Sequence, residues 1–272
     1  MTCDADRPGA AGVSRSPNYA RAVLVLLPPS ETKAPGGDGP GLDLDALSLP
    51  ELNPARRKLA DALAELAADV PASLSALGLS ERQRDEVERN ARLWSSPTTP
   101  ALLRYTGVLY DTLDARSLRG AARERARHRL AVASALFGVL RADDPIPAYR
   151  LSGGSALPGL GSLRSWWRPV LEPALARFGD DGELVVDLRS GPYAALARVP
   201  GSVTARVVTE DLSGRRRTVS HHNKAHKGRL AAALATTPRE PATVDDVVSV
   251  ATAAGLECER TGDTAVELVT RP

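Results

Sequence analysis

The clearest hydrophobic signal near the start of the chain is an unbroken apolar run, Val23 to Leu27. A run without polar alternation is typical of a strand that is buried on both faces of a sheet. It ends at Pro28 and Pro29, which lack the backbone N–H that a strand ladder uses. Further strands are predicted at 183–188, at 203–209 paired with 217–220, and as a hairpin over 256–269.

Between these strands, apolar residues recur at helical spacing. They predict a helix with Asn53 as its N-cap, and a helix over 80–94 opened by a Ser80–Gln83 capping box. Helices are also predicted over 121–140, 162–178 (interrupted by Pro169 and Pro173), 223–236 and 243–255. Because strands alternate with helices, we predict an α/β fold: a single domain with a mixed β-sheet core surrounded by helices.

Residues 1–20 are rich in Gly, Ser, Pro and Ala without a hydrophobic pattern, which predicts a disordered tail before one domain at 21–272. A formal net charge of +2 is too mild to indicate a nucleic-acid partner by itself. The chain has two cysteines without a C-x-x-C pair, no signal peptide and no apolar run of membrane-spanning length. We therefore expect a cytoplasmic protein with no membrane association. No motif calls for a cofactor or a metal, so neither is predicted.

Lys33 closes the segment Leu27-Pro-Pro-Ser-Glu-Thr-Lys33, which directly follows the first strand. Open α/β sheets bind ligands beyond the carboxyl ends of their strands, so Lys33 is a candidate for binding a phosphate or a carboxylate. The alternative is a solvated loop lysine.

Arg150 and Tyr149 follow two prolines and precede a glycine pair, as a rigid loop that recognises a planar or anionic ligand would require. The alternative is an ion pair of Arg150 with Asp143 or Asp144.

Ser190 and Tyr193 lie where the 183–188 strand runs into a helix start, which can hold an anion on free N–H groups. Equally, Ser190 can be only an N-cap and Tyr193 a core residue.

The segment 214–229 contains six Lys or Arg residues and no acid. Lys224 and Lys227 share a helix face, and Arg229 follows closely. Like charges on one face destabilise a helix, and nucleic-acid phosphate would offset that cost. The alternative is a solvated basic face. His222 and His226 are spaced for metal binding, but the neighbouring lysines would repel a cation.

Leu77-Gly78-Leu79 joins two predicted helices, as in a helix-hairpin-helix element whose backbone amides contact DNA phosphate. Ser80 replaces the second glycine of that turn, and many ordinary helical corners look the same. The arginines of 115–129 spread around their predicted helix and add positive potential.

Several blocks in one order resemble the YaaA family of bacterial peroxide-stress proteins, over about residues 22–270. The blocks are Leu27–Lys33, Tyr105–Ala115 with Tyr110, Ser134–Arg141, Pro147–Leu151, Asp187–Tyr193 and Ser220–Gly228. The resemblance implies an α/β fold particular to the family, a positively charged cleft and a helix-hairpin-helix-like element. It also implies DNA binding and protection from iron and DNA damage during peroxide stress. By position, the implied cleft residues are Lys33, Tyr110, Arg150, Ser190, Tyr193, Lys224 and Lys227.

The leading hypothesis is a peroxide-stress protein that binds double-stranded DNA without sequence preference, using Lys33, Arg150, Tyr193, Lys224, Lys227, Arg229 and the Gly78 turn. The alternative is an enzyme acting on a nucleotide or nucleobase-like small anionic ligand, with Lys33, Tyr110, Arg150, Ser190 and Lys224 converging on one pocket. A third hypothesis is iron or haem binding by His128, His221, His222, His226 and Cys258.

Overall fold

A computed structural model describes residues 23–180, 182–218 and 223–271. The predicted tail at 1–20 lies outside the described residues, and so do Ser220, His221 and His222 of the basic segment.

Strands and helices alternate along the described chain, as the hydrophobic pattern predicts. The strands are β1 (Leu24–Leu27), β2 (Thr99–Pro100), β3 (Leu130–Ser134), β4 (Gly138–Arg141), β5 (Pro145–Ile146), β6 (Ala156–Leu157), β7 (Gly161–Ser162), β8 (Val185–Asp187), β9 (Val203–Glu210), β10 (Arg216–Thr218), β11 (Cys258–Gly262) and β12 (Ala265–Thr270). The helices are α1 (Asn53–Leu66), α2 (Val70–Leu77), α3 (Arg84–Ala91), α4 (Ala101–Arg104), α5 (Val108–Leu113), α6 (Gly120–Arg129), α7 (Leu163–Asp180), α8 (Gly191–Ala194), α9 (Asn223–Thr236) and α10 (Val244–Ala253).

The main sheet is mixed, and its strand order is β11-β12-β9-β8-β1-β3-β4, with β10 beside β9. The central strands β12, β9, β8, β1 and β3 pair in parallel, whereas β4, β10 and β11 join antiparallel. Strand β1 is buried at every position: β3 and β8 pair with its two edges, and helices α6 and α9 contact it. The carboxyl ends of β1, β3 and β8 therefore meet at one edge of the sheet.

Helices cover the sheet and close one continuous hydrophobic core. Helix α9 contacts β1 and β9 and packs against α5, α6 and α10, while α1 contacts α3 and α7. A single α/β domain with a mixed sheet inside helices is confirmed. Small antiparallel pairs, β2 with β5 and β6 with β7, lie outside the main sheet.

The predicted helix over 121–140 is wrong beyond residue 129. Helix α6 ends at Arg129, and the chain continues as the hairpin β3–β4, whose closing pair is Ser134 and Gly138. Gly138 has φ +75°, which favours glycine and interrupts a helix. The run Leu130–Ser134 is buried at every position, and alternation gives no help for a strand covered on both faces.

The predicted interruption of the 162–178 helix is also wrong, since α7 runs through both Pro169 and Pro173. Its apolar residues Trp167, Leu171 and Leu175 are buried, and this packing holds the helix together despite the missing N–H donors.

The predicted helix caps have different outcomes. Asn53 is not an N-cap: it lies inside the first turn of α1, and its Nδ2 donates to Leu44 O at 2.9 Å. The capping boxes at Ser80 and Thr243 are present.

Candidate functional site

Lys33 lies in the loop after β1 and is almost completely buried. Its Nζ donates to the carbonyl oxygens of Ser30 (3.1 Å) and Glu31 (3.3 Å). The same atom lies 4.3 Å from the ring centre of Tyr149 and 5.3 Å from that of Tyr105, so two ring faces also stabilise the ammonium. The expectation of a solvated loop lysine is therefore wrong: the fold encloses this cation.

Four tyrosines surround or adjoin this lysine, and with Lys33 they form what we call the lysine–tyrosine cluster (Lys33, Tyr105, Tyr110, Tyr149, Tyr193). Tyr105 and Tyr149 share a hydroxyl hydrogen bond of 2.9 Å, and the Tyr149 hydroxyl also lies 2.8 Å from Ser134 Oγ at the end of β3. The ring of Tyr110 stacks on Tyr105 with centres 5.6 Å apart. The phenol of Tyr110 donates to the Pro28 carbonyl at 2.8 Å, which attaches α5 to the end of β1.

Burial sets the protonation of the cluster. It lowers the pKa of Lys33 from 10.5 to about 8, with the Glu31 carboxylate opposing the shift and Arg150 adding to it. Burial raises the pKa of Tyr105 to about 12, and it raises the pKa of Tyr110, Tyr149 and Tyr193 well above 10. The phenols therefore remain protonated near neutral pH and can donate hydrogen bonds, whereas Lys33 is the group nearest to losing its proton.

Arg150 pairs with Glu31 at 3.3 Å, and the pair lies beside Lys33. The predicted alternative partners, Asp143 and Asp144, are engaged elsewhere, with Arg127 and with Ser48 respectively. Asn90 of α3 fixes the Arg150 backbone from both sides, donating to its carbonyl at 2.9 Å and accepting from its N–H at 2.8 Å. The guanidinium of Arg150 is thus held at the cluster by two distant segments of the chain.

Tyr193 and Ser190 follow β8 at the same sheet edge. The Tyr193 hydroxyl accepts the N–H of Gly153 at 3.2 Å, and its ring lies so close to Gly153 that an added Cβ would come within 3.1 Å of it. Ser190 is exposed and forms no side-chain cap, although its carbonyl accepts the N–H groups of Tyr193 and Ala194. Ser190 is the N-cap residue of α8 by position, as the alternative interpretation predicted, but its hydroxyl makes no capping hydrogen bond and its side chain is open to solvent.

The three cations of helix α9, Lys224, Lys227 and Arg229, differ in burial and in the part of the molecule that they contact. Lys227 is partly buried and donates to Leu188 O at 3.1 Å, just beyond β8, and burial lowers the pKa of Lys227. Arg229 points to the far end of α10, where it donates weakly to the carbonyls of Ala254 and Gly255. Lys224 is exposed in the first turn. Of the three, Lys227 lies at the carboxyl edge, while Arg229 faces away from it.

The Gly78 turn joins α2 to a 3-10 turn and α3, as the sequence predicts. Gly78 caps α2 in the left-handed conformation, with φ 62°. The N–H groups that a DNA contact would use are already bonded within the turn: Gly78 to Ser75 O, Leu79 to Leu74 O, and Ser80 to Gln83 Oε1. The turn acts as a helix cap, and a DNA contact at Gly78 stays a prediction.

The His and Cys residues of the iron hypothesis lie on separate elements: His128 on α6, His226 on α9 and Cys258 on β11. Within 23–180, 182–218 and 223–271, no three His, Cys, Asp or Glu side chains form a group able to hold a metal ion. Among the helices of the same ranges, none has the length and apolar content needed to cross a membrane.

Sequence reasoning did not assign roles to Tyr105, Glu31, Asn90 or Ser134. Tyr105 and Glu31 lie inside the family-like segments Tyr105–Ala115 and Leu27–Lys33, and that membership is the signal that could have found them. Asn90 stands alone in a charged helix and gives none. Four buried arginines (Arg56, Arg104, Arg129 and Arg189) were also missed. Of these, Arg104 donates to the Ala34, Gly36, Pro97 and Ile146 carbonyls, and Arg189 pairs with Asp187 at 2.7 Å.

The fold and the site together define an α/β protein with an enclosed lysine–tyrosine cluster at the carboxyl edge of a mixed sheet, beside a helix that begins with cations. A sequence model of the family described as peroxide stress protein YaaA matches residues 23–260. The chain belongs to this family of peroxide stress proteins.

Curated relatives agree with this assignment. The chain is 50% identical over 241 residues to a UPF0246 protein of Corynebacterium efficiens, covering 87% of this chain and 95% of the relative. It is 48% identical over 242 residues to a UPF0246 protein of Corynebacterium glutamicum, at the same coverages. It is 45% identical over 240 residues to a UPF0246 protein of Streptomyces coelicolor, covering 87% of this chain and 92% of the relative.

Proposed function

We propose that this peroxide stress protein protects DNA by binding duplexes without sequence preference, through a basic surface made of Arg215, Arg217 and Lys224. The observation that carries the proposal is that these three exposed cations have no ion-pair partner among the described residues, although the chain is nearly neutral overall. Exposed cations that form no ion pair favour phosphate binding.

Strand alternation separates Arg217 from the carboxylates that Arg216 binds, and Asp211 at the hairpin turn is an acidic neighbour of Arg215 and Arg217 with which neither forms an ion pair. Arg216 faces one side of the sheet, where it pairs with Glu210, Glu259 and Glu267. Arg217 pairs in register with Thr209, so it faces the other side, together with the buried Ala205 and Val207 that α9 covers. Arg217 thus lies on the sheet face that carries α9, Arg215 lies in the turn just before β10, and Lys224 lies in the first turn of α9.

In this proposal the enclosed cations Lys33, Arg150 and Lys227 stabilise the fold and do not contact DNA. Lys33 is engaged by two carbonyls and two rings, Arg150 by Glu31, and Lys227 by Leu188 O. Phosphate contact at these positions would first have to break those interactions. The iron-limiting role implied by the resemblance and the cytoplasmic location expected from the sequence remain predictions, and we attribute protection to DNA binding.

The test measures duplex DNA binding by fluorescence anisotropy at several salt concentrations. Arg217→Glu with Lys224→Glu should weaken binding at least about tenfold and reduce the salt slope by about 2, since each lost phosphate contact removes about 1. Lys58→Glu is the matched control, because Lys58 is exposed on α1 and the charge change per residue is the same. Equal binding by the wild type and the double variant would contradict the proposal. Lys227 is not reversed, since its buried hydrogen bond would confound folding with binding.

A second candidate function is favoured by the lysine–tyrosine cluster: an enzyme that acts on a nucleotide or nucleobase-like small molecule. A buried amine with a lowered pKa, neutral phenols and the Glu31–Arg150 pair lie together at a sheet edge of the kind that binds ligands in α/β proteins. Lys33 and Arg150 would contact an anionic ligand and Tyr110 would position it, with Ser190 and Lys224 at the rim. Saturation-transfer NMR with nucleosides and nucleotides tests this. Signals that disappear in Lys33→Met but persist in Lys58→Met support it, and identical spectra for all three proteins refute it.

A further inference from the structure

A second basic feature lies apart from the lysine–tyrosine cluster, in a hollow between α4, the turn at 115–117 and the start of α6. The hollow measures about 250 Å³. Its charged lining consists of Arg116, Arg119, Arg123 and the paired Arg127 and Asp143, and its apolar walls include Leu102, Leu103 and Leu118. We call it the arginine hollow. The sequence shows these arginines as spread around a helix, whereas the fold brings four of them to one concavity, and three of the four (Arg116, Arg119 and Arg123) form no ion pair among the described residues.

The three guanidinium groups have no acidic partner. No described carboxylate lies within ion-pair distance of Arg116, Arg119 or Arg123; Asp143, at the hollow's edge, pairs with Arg127 instead. Arg119 donates one Nη to the carbonyls of Arg116 and Leu118, and Arg116 makes a 3.3 Å bond to Leu103 O. Among the described residues, no side-chain hydrogen bond engages Arg123. Most donors of this trio therefore remain available.

This arrangement is electrostatically unfavourable without a ligand. Arg119 is the N-cap residue of α6 and Arg123 lies one turn further along, so two like charges share the hollow at the start of this helix and repel each other. The first turn of α6 carries no acidic residue, so nothing anionic within it offsets the positive end of the helix dipole. A dianion in the hollow would relieve both costs at once.

We propose that the arginine hollow is a binding site for a small phosphate monoester with a compact apolar or aromatic body. Near neutral pH a phosphate monoester carries close to two negative charges and presents oxygens that guanidinium groups bind in pairs. Its organic part lies against Leu102, Leu103 and Leu118. The hollow is smaller than the roughly 300–1,000 Å³ of drug-sized sites, so the ligand is compact. This site is independent of the DNA-binding proposal, because it shares no residue with the basic surface.

Isothermal titration calorimetry on the full chain tests the proposal with phenyl phosphate, phenyl sulfate and inorganic phosphate. Phenyl phosphate should bind more tightly than phenyl sulfate, which has the same ring but one charge, and more tightly than inorganic phosphate, which lacks the ring. Arg119→Gln with Arg123→Gln should weaken phenyl phosphate binding roughly tenfold or more, since charge-assisted hydrogen bonds are lost. Both arginines are exposed, so the fold should survive, and circular dichroism checks this.

The matched control is Arg82→Gln with Arg84→Gln, two exposed arginines beside α3 that should leave binding unchanged. The Arg217→Glu/Lys224→Glu variant should also bind phenyl phosphate normally, which separates this site from the DNA surface. No measurable binding by the wild type, or equal binding by the wild type and the Arg119/Arg123 variant, overturns the proposal. Displacement of phenyl phosphate by a duplex without terminal phosphates also overturns it, because the hollow would then be part of a nucleic-acid surface.

Discussion

Hydrogen bonds to backbone carbonyls, more than ion pairs with carboxylates, offset the cost of burying the positively charged side chains of this protein. Lys33 donates to two carbonyls, and Arg56 donates to those of Ser48, Phe137 and Val139 as well as to Asn53 Oδ1. Burial lowers the pKa of Arg56 to about 10, with Asp144 opposing the shift. Carbonyl oxygens are acceptors that never titrate, so each cation fastens a loop whatever the protonation of nearby acids.

Lys33 gives a testable pH dependence of stability. Its folded pKa of about 8 lies below the unfolded value of 10.5, so between these values the unfolded chain binds more protons. Stability from this group is therefore lowest below pH 8 and rises toward pH 10.5. We expect the free energy of unfolding in urea to rise by about 2 kcal/mol from this group between pH 7.5 and 9.5. Lys33→Met should show no such rise, and a rise of equal size in the variant would disprove the assignment.

Arg56 and Arg57 form a matched pair, because one is fully buried and its neighbour is exposed. Lysine cannot reach several acceptors at once as the guanidinium fork does. Arg56→Lys should therefore lower the free energy of unfolding by about 3 kcal/mol, since buried carbonyls lose their donors. Arg57→Lys should change it by less than about 0.5 kcal/mol. Urea denaturation of both variants decides the matter, and similar values for the two would show that the carbonyl contacts matter little.

At the scale of elements, the crossing of α9 over α5 depends on one glycine. A Cβ built on Gly228 would lie 2.5 Å from the Leu109 carbonyl oxygen, and the two helices are in extensive contact. The close approach positions Lys227 against Leu188 O and keeps Tyr110 of α5 near the cluster. Gly228 is thus the residue of the Lys227-Gly228 sequence that sets helix packing.

Replacing Gly228 by Ala should lower the stability of the fold, although a Gly-to-Ala substitution inside a helix usually raises it. In an exposed helix interior, alanine is more stabilising than glycine by about 1 kcal/mol. Here the clash with Leu109 O should destabilise the fold by about 2 kcal/mol or more. Gly154→Ala is the control, because an added Cβ there meets nothing within 4 Å and its φ is not positive. Thermal denaturation compares the two, and a Gly228→Ala protein as stable as the wild type would mean that the helices separate easily.

Element prediction from sequence worked where a local signal exists. The buried run at β1, the two capping boxes and the start and end of α9 are local features, and the structure contains them. It failed at Leu130–Arg141, since a strand buried on both faces and an apolar helix share one hydrophobic pattern. Which strand lies beside which decides such a segment, and that information is absent from a local window.

The candidate site, like the elements, could be predicted from the sequence only where a local signal exists. The position of Lys33, Tyr110, Arg150 and Tyr193 near one sheet edge follows from their places in the chain, once parallel strands are assumed. Their partners do not, because the carboxylate that meets Arg150 and the ring that covers Lys33 are fixed by tertiary packing. The sequence also does not show which of the predicted cations are exposed. Lys33, Arg150 and Lys227 are bound to other groups of the protein, whereas Lys224 is exposed without an ion pair among the described residues.

At the scale of the whole molecule, the four cluster tyrosines link alkaline titration to global unfolding. Their pKa values are raised in the folded state, so above pH 10 the unfolded chain releases protons that the folded chain retains, and stability falls. Tyrosinate absorbance from these four phenols should therefore appear together with the loss of far-ultraviolet circular dichroism. Tyrosinate formation from the cluster near pH 10, before any loss of structure, would show that these phenols are open to solvent.

Strand β12 lies between β9 and β11, although it follows both of them in the sequence. It pairs with residues 204–209 of β9 along its whole length. A protease that cut the chain before Ala265 and released this piece would leave a long row of unpaired amide and carbonyl groups on β9. Such an open edge recruits other strands, so trimmed molecules would join one another and precipitate while intact ones remain separate.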